Sequence, residues 1–290
     1  MESNALSIQN LCKTYDGFSL KNVSFDVPQG SIMGFIGQNG AGKTTTIKAI
    51  LNIIKKDSGS IEIFGLDHIN EEKKIKENIA AVFDEIPFPE DFHAKNINKI
   101  MRGIYSQWNE KTFYEYLQRF GIPEKKKISQ LSKGMKMKLQ IATALSHNAK
   151  FLIMDEATTG LDPVVRNEIL DIFFDYIQDE EHTILMSSHI TSDLERIADS
   201  ITLIDNGEIL LSGYKDDLLE QHAILKCSKN TYQMIDKQDI ISEKITAFGV
   251  EALVHDKKSC IKKYQDNGVI FDSASLEDIM LFYVKRSNGL

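Results

Sequence analysis

The chain has 290 residues, 42% of them hydrophobic and 26% charged, with a formal net charge of −8. That is room for one large domain plus a small appendage of ordinary soluble, globular composition, and the acidic balance argues against general nucleic-acid binding. No apolar run approaches the ~18 residues of a membrane helix, and the N-terminus lacks the basic flank and apolar core of a secretory signal. Cys12, Cys227 and Cys260 have no metal-ligand spacing and suit free thiols in a reducing compartment, so the chain is expected to stay in the cytosol.

From Leu6 to Val27 apolar residues alternate in places, most clearly at Val23, Phe25 and Val27, and a second short alternation sits at Ile61 and Ile63. These read as half-buried antiparallel strands. Tyr15 lies between them in the turn-like stretch Lys13 to Phe18, either as a platform for a base or as a strand-end tyrosine.

Ser31 to Ile36 is a short apolar run suited to a buried strand, and Ile47, Ile50, Leu51 and Ile54 recur at helical spacing. Between them Gly37, Gln38, Asn39, Gly40, Ala41, Gly42, Lys43, Thr44 and Thr45 satisfy the phosphate-loop pattern G-x-x-x-x-G-K-[ST]. Glycines let backbone N–H groups turn around phosphate oxygens, Lys43 reaches the β and γ phosphates, and Thr44 offers a hydroxyl to Mg²⁺. The helix that follows adds its positive dipole end, so the stretch is expected to bind a nucleoside triphosphate.

Ile97, Ile100, Met101, Ile104, Tyr105 and Trp108 predict an amphipathic helix, and Phe113, Leu117 and Phe120 predict a second, closed by Gly121 and Pro123. A helical subdomain is thus inserted, at about 84–134, between the halves of the nucleotide core. Its aromatic stripe reads as packing, and Lys125 to Lys127 as solvated surface.

Phe151-Leu-Ile-Met-Asp-Glu156 reads as a buried parallel strand delivering two carboxylates to a ligand crevice. Asp155 fits a Mg²⁺ partner, direct or outer-sphere, and Glu156 is placed to polarise a water attacking the γ-phosphate. Asp162 and Pro163 start a helix with a buried stripe of Val165, Ile169, Ile172, Phe173 and Tyr176. His189 follows the strand Thr183 to Ser187 and is a candidate phosphate contact.

Asn206-Gly207 marks a hairpin that closes the main domain near residue 215. Beyond about 218, strands at Ala223 to Cys227, Val250 to Val254 and Val269 to Phe271 alternate with helical stretches. Ser275 and Asp278 form a capping box for a last helix. Its face of Leu276, Ile279, Met280, Tyr283 and Val284 packs on its own domain or pairs with a second subunit. The expected fold is α/β: a phosphate-loop NTPase core with an antiparallel β subdomain and an inserted helical subdomain (1–218), plus a small C-terminal α+β domain (219–290).

The phosphate loop, the insertion, Leu131-Ser-Lys-Gly-Met135, the Asp155-Glu156 strand, Gly160-Leu-Asp162 and His189, in this order, resemble the ATP-binding subunit of ABC transporters over about residues 5–215. The resemblance implies a head-to-tail dimer with two ATP molecules, and Mg²⁺, between its subunits. One subunit would give the phosphate loop, Asp155, Glu156 and His189, and the other Ser132 and Gly134. Tyr15 matches the aromatic residue that stacks on adenine, and Asp162 the loop that communicates across the dimer. The second ATPase subunit would be another copy or a related chain, the permease a separate membrane protein, and the chain's place the cytoplasmic face of the membrane.

Two stretches depart from the family's motifs. In the stretch that usually reads Leu-Ser-Gly-Gly-Gln, Lys133 and Met135 replace the first glycine and the glutamine. Lys133 either adds positive charge near ATP or points to solvent. In Ala81 to Ile86, Asp84, with Glu85 as the alternative, stands where the family places a glutamine that touches Mg²⁺; a carboxylate there is expected to coordinate Mg²⁺ when the dimer closes. These features and the ending Ser275 to Met280 are similar to ATPase subunits of the bacterial ABC-2 group, associated with export of, or resistance to, antimicrobial and amphipathic peptides, including phenol-soluble-modulin-type toxins. The competing class is a soluble ABC ATPase acting on ribosomes or DNA. Chromosome-type members carry long coiled coils before the signature and ribosome-type members carry two nucleotide cores; this chain shows neither, which favours transport.

Overall fold

The computed structural model describes residues 3–265 and 268–287. Two long strands, β1 (Asn4–Tyr15) and β2 (Phe18–Pro28), fold back on each other at Asp16-Gly17, and their alternation buries Leu6, Ile8, Val23, Phe25 and Val27. β3 (Ile32–Ile36), buried at every residue, leads through the glycine-rich loop into α1 (Lys43–Ile50). β4 (Ser58–Ile63) and β5 (Leu66–Asp67) complete an antiparallel sheet in the order β2-β1-β4-β5.

After α2 (Glu72–Lys76) and β6 (Ile79–Phe83) the chain leaves the core for the helical insertion, α3 (Ala94–Ile104) and α4 (Glu110–Arg119). It returns along α5 (Lys133–Leu145) to β7 (Phe151–Asp155), α6 (Pro163–Tyr176), β8 (Thr183–Ser188), α7 (Thr191–Ile197), β9 (Ser200–Asp205) and β10 (Glu208–Tyr214). The central sheet runs β10-β9-β3-β8-β7-β6 and is parallel from β9 to β6, with β10 antiparallel at one edge. Burial on both faces explains why β3 and β7 read as near-continuous apolar runs.

One helix is shorter than its periodicity predicts. α3 ends at Ile104, and Tyr105 turns extended to stack on His147 with ring centroids 4.0 Å apart. Trp108, beyond the helix, donates from Nε1 to Asn98 Oδ1 at 2.8 Å, so its ring folds back onto α3. The aromatic spacing imitates a further helical turn. Ile100 and Ile104, expected in the apolar stripe, are exposed.

The C-terminal part comprises α8 (Lys215–Gln221), β11 (Ala223–Cys227), α9 (Lys229–Tyr232), β12 (Ile240–Ile245), β13 (Val250–Val254), α10 (Lys257–Tyr264), β14 (Ile270–Ser273) and α11 (Leu276–Ser287). Its antiparallel sheet has the order β12-β13-β11-β14. β12 escapes sequence reading because Glu243 and Lys244 interrupt its apolar pattern. The capping box forms as expected: the Ser275 N–H donates to Asp278 at 3.0 Å, and the Asp278 N–H to Ser275 Oγ at 3.1 Å. α11 packs on its own chain. Leu276, Ile279, Met280, Phe282 and Val284 join the cluster that holds Leu194, Ile197 and Ile201 of the nucleotide core, and each such side chain contributes about 1.5–3 kcal/mol.

Burial pushes His68, His147 and His222 below the ordinary histidine value of 6.5. The unfolded chain therefore protonates first as the pH falls, so stability present above about 6.5 is lost below it. Thermal midpoints measured from about pH 7.5 down to about pH 5.5 are expected to fall, more in the native chain than in a His147→Gln variant.

Candidate nucleotide-binding and catalytic site

β3 carries the chain into a loop that only glycine fits at two points. A Cβ on Gly37 would lie 2.4 Å from the Ile204 carbonyl oxygen, and Gly42 has φ +119 against Leu20 and Phe18. The tip of the β9–β10 hairpin supports the same loop, where the Gly207 N–H donates to the Ala41 carbonyl at 2.9 Å. Gln38, Asn39 and Gly40 are exposed, and the Ala41 N–H donates to Gln38 O at 3.1 Å.

Lys43 is only 5% exposed. Its Nζ donates to the carbonyls of Gly37 at 2.7 Å and Gln38 at 3.2 Å, and lies 3.0 Å from Glu156 Oε1. No side chain caps the start of α1 and its first turn carries no acidic residue, so the N–H groups a helix leaves without internal partners remain for an anion. An uncapped helix start beside a buried ammonium fits the phosphates of a nucleotide. Thr44 is exposed and Thr45 half-buried.

On the neighbouring strand, Asp155 of β7 stands in register with Phe83 of β6 and Ser187 of β8. It is 6% exposed and accepts a hydrogen bond from Ser187 Oγ at 2.7 Å. Glu156 follows at φ +55, uncommon for a residue with a side chain and found preferentially at functional sites. Its N–H donates to Ser187, and its Oε2 accepts from Thr159 Oγ1 and meets His189 Nδ1, both at 2.7 Å. Burial pushes the Glu156 carboxyl up, but the Thr159 hydroxyl, the Lys43 ammonium and His189 outweigh it and hold the group below the ordinary 4.5. The carboxylate is thus ionised at neutral pH, able to accept a proton or a hydrogen bond from water.

Behind this pair, buried Asp193 of α7 accepts hydrogen bonds from Thr158 Oγ1 at 2.7 Å and from Arg166 of α6. The loop after Glu156 and the helix after His189 are thereby tied together. Ser187, Thr158, Thr159, Arg166 and Asp193 were not read from the sequence. Only the paired serines ending an otherwise apolar strand offered a signal.

Tyr15 is half-exposed, with Lys13 Nζ 5.2 Å from its ring centroid. It lines a cavity of about 570 Å³ with Phe18, Lys21, Asn206 and Ser287, beside the phosphate loop. Ser132 and Gly134 sit elsewhere. Ser132 caps α5, its Oγ accepting from the Met135 N–H at 3.3 Å, and Gly134 faces Val165 of α6. Asp84 and Glu85 are exposed beyond β6, and Asp84 pairs with Lys133, whose Nζ is 2.6 Å away. Neither course foreseen for Lys133 anticipates that pairing. The Asp162 side chain accepts from the N–H groups of Val164 and Val165, both at 3.1 Å, as expected of the cap of α6.

The sequence model of the family described as ABC transporter matches residues 20–159. The chain is 31% identical to the ABC transporter ATP-binding protein YtrB of Bacillus subtilis, over 78% of this chain and 77% of that protein. It is 36% identical to the bacitracin transport ATP-binding protein BcrA of Bacillus licheniformis, over 72% and 69%, and 35% identical to the lantibiotic transport ATP-binding protein SrtF of Streptococcus pyogenes, over 71% and 89%. A solved ATP-binding subunit of an ABC transporter superposes with a TM-score of 0.67 at 26% identity, over 75% of this chain and 92% of that one. With the loop, the carboxylate strand and the likeness all falling on the same residues, the chain belongs to the family of ABC transporter ATP-binding proteins.

Proposed function

We propose that the chain drives export of peptides or other amphipathic compounds through a separate membrane permease, by ATP-dependent pairing of two ATPase subunits. The observation that carries this reading is the division of the site. Lys43, Glu156 and His189 converge on the phosphate loop, whereas Ser132 caps the start of α5 and Gly134 beside it faces Val165 of α6, which leaves them, in this reading, to complete the site of another subunit. The substrate class rests on the relatives named for bacitracin and lantibiotic transport.

In this reading the adenine stacks on Tyr15, and the backbone from Gly37 to Thr45 with the Lys43 ammonium binds the phosphates. Thr44 and Asp155, with Asp84, would hold Mg²⁺, which when bound neutralises phosphate charge. Glu156 accepts the proton of the attacking water, and His189, bonded to Glu156, orients it and contacts the γ-phosphate. Residues 1–218 form the ATPase domain, and 219–290 form an accessory unit that shares its core. No helix among the described residues is long and apolar enough to cross a membrane. In this reading the permease holds the chain at the cytoplasmic face. Exposed Ile100 and Ile104 on α3, beside a groove lined by Pro87, Phe88, Met101 and Tyr105, give the insertion an apolar surface for that partner.

Cell fractionation tests the reading. The tagged chain is expected in the membrane fraction only when its permease is co-expressed, and a strain lacking it should become several-fold more sensitive to cationic amphipathic peptides. A chain that fractionates with ribosomes or DNA, whatever the permease, overturns the transport assignment.

A further inference from the structure

The two places where this chain departs from its family's motifs meet in space. Asp84 directly follows β6, whose last residue Phe83 is in register with Asp155, so the Asp84 carboxylate belongs to the strand end beside the catalytic carboxylates. Lys133 is the first residue of α5. Its Nζ lies 2.6 Å from Asp84 Oδ1, and a Cβ on Gly160, in the loop after Glu156, would come within 3.1 Å of the same ammonium. Two turns further along α5 the buried Gln140 brackets Phe83, accepting from its N–H at 3.3 Å and donating to its carbonyl at 2.9 Å. One helix therefore grips the end of β6 twice. Gln140 fixes the backbone and Lys133 engages the charge.

We propose that Lys133 is a positioning residue that holds the Asp84 carboxylate in the nucleotide-free chain and yields it to the divalent cation carried in by the nucleotide. The inference rests on the reading of Asp84 as a cation ligand. Each substitution alone is a liability. A carboxylate in place of an amide adds negative charge where phosphates arrive, and a lysine in place of glycine puts an ammonium at the start of a helix, the end that disfavours cations. Paired, the two charges cancel. Both side chains are about half exposed, at 45% and 44%, and an ion pair so open to water is weak enough for a divalent cation to displace. The pair is a competitor for the metal and not a strut of the fold.

The experiment is a double-mutant cycle on binding of a non-hydrolysable ATP analogue to the full chain, titrated with Mg²⁺ and again with excess chelator. Lys133→Met is expected to tighten the Mg²⁺-dependent affinity about three- to fivefold, the range an exposed pair can supply, and to leave metal-free binding unchanged. In the Asp84→Asn background the same replacement should have no effect. Native-like affinity in Lys133→Met, an equal gain in the Asp84→Asn background, or a gain that persists in chelator each overturns the exchange. A native chain whose affinity is indifferent to Mg²⁺ sinks the cation reading of the site and the exchange with it, whereas a Mg²⁺-responsive native chain with an inert Lys133→Met sinks the exchange alone.

Discussion

A chain carrying Glu156→Gln, supplied with ATP and Mg²⁺, is expected to pair into a lasting dimer while its turnover falls at least about a hundredfold. The replacement keeps size and polarity, so the contacts of Oε2 with Thr159 and His189 have a counterpart in the amide. What disappears is the basic oxygen. In the native chain the carboxyl is held below 4.5 and stays ionised at neutral pH, whereas an amide cannot take a proton from water. A hundredfold loss corresponds to about 2.7 kcal/mol of transition-state stabilisation, within reach of one general base. Light scattering after gel filtration reads the pairing, and phosphate release reads the turnover. A monomeric Glu156→Gln chain in saturating ATP would leave the nucleotide site standing and remove the shared-site mechanism.

Lys43→Met should weaken ATP binding by two orders of magnitude or more, because hydrogen bonds to charged groups contribute about 1.5–3 kcal/mol each and the proposed site has the ammonium reach two phosphates. A second consequence follows from Glu156 Oε1, 3.0 Å from that ammonium and buried with it. Removing one partner of a buried pair costs about 3–5 kcal/mol, here toward the lower end since Thr159 and His189 still engage the other oxygen. The nucleotide-free variant should therefore melt earlier than the native chain. Combining Lys43→Met with Glu156→Gln should recover much of that stability and none of the binding. Recovery of binding in the double variant would mean that Lys43 acts only by neutralising Glu156.

What could be read in advance follows from where the information lies along the chain. The phosphate loop, β3, β7 and the cap of α6 are specified by adjacent residues: glycines at fixed offsets, unbroken apolar runs, an aspartate before a proline. The shape of the site is not local. Glu156 owes its setting to Thr159 of its own loop and to Ser187, His189 and Lys43, which reach it from two other segments, and no spacing announces that convergence. The same holds for Asp84 and Lys133, each of which looked like an isolated departure from a motif. Trp108 misled in the opposite sense, since helical spacing continued past the residue where the backbone had turned. β12 was hidden because a strand with one half-exposed face tolerates charges such as Glu243 and Lys244.

The support that the β9–β10 hairpin gives to the phosphate loop has a consequence in time. β3, which delivers the loop, has β8 and β9 as its neighbours, and both are encoded between Thr183 and Asp205. At roughly 5–20 residues per second on the ribosome, the loop emerges on the order of ten to thirty seconds before the strands that flank it and the glycine that braces Ala41. A nascent chain long enough to display the whole nine-residue motif still has no shaped receptacle for phosphate. Nucleotide competence is a late event of synthesis, acquired when the last third of the chain arrives.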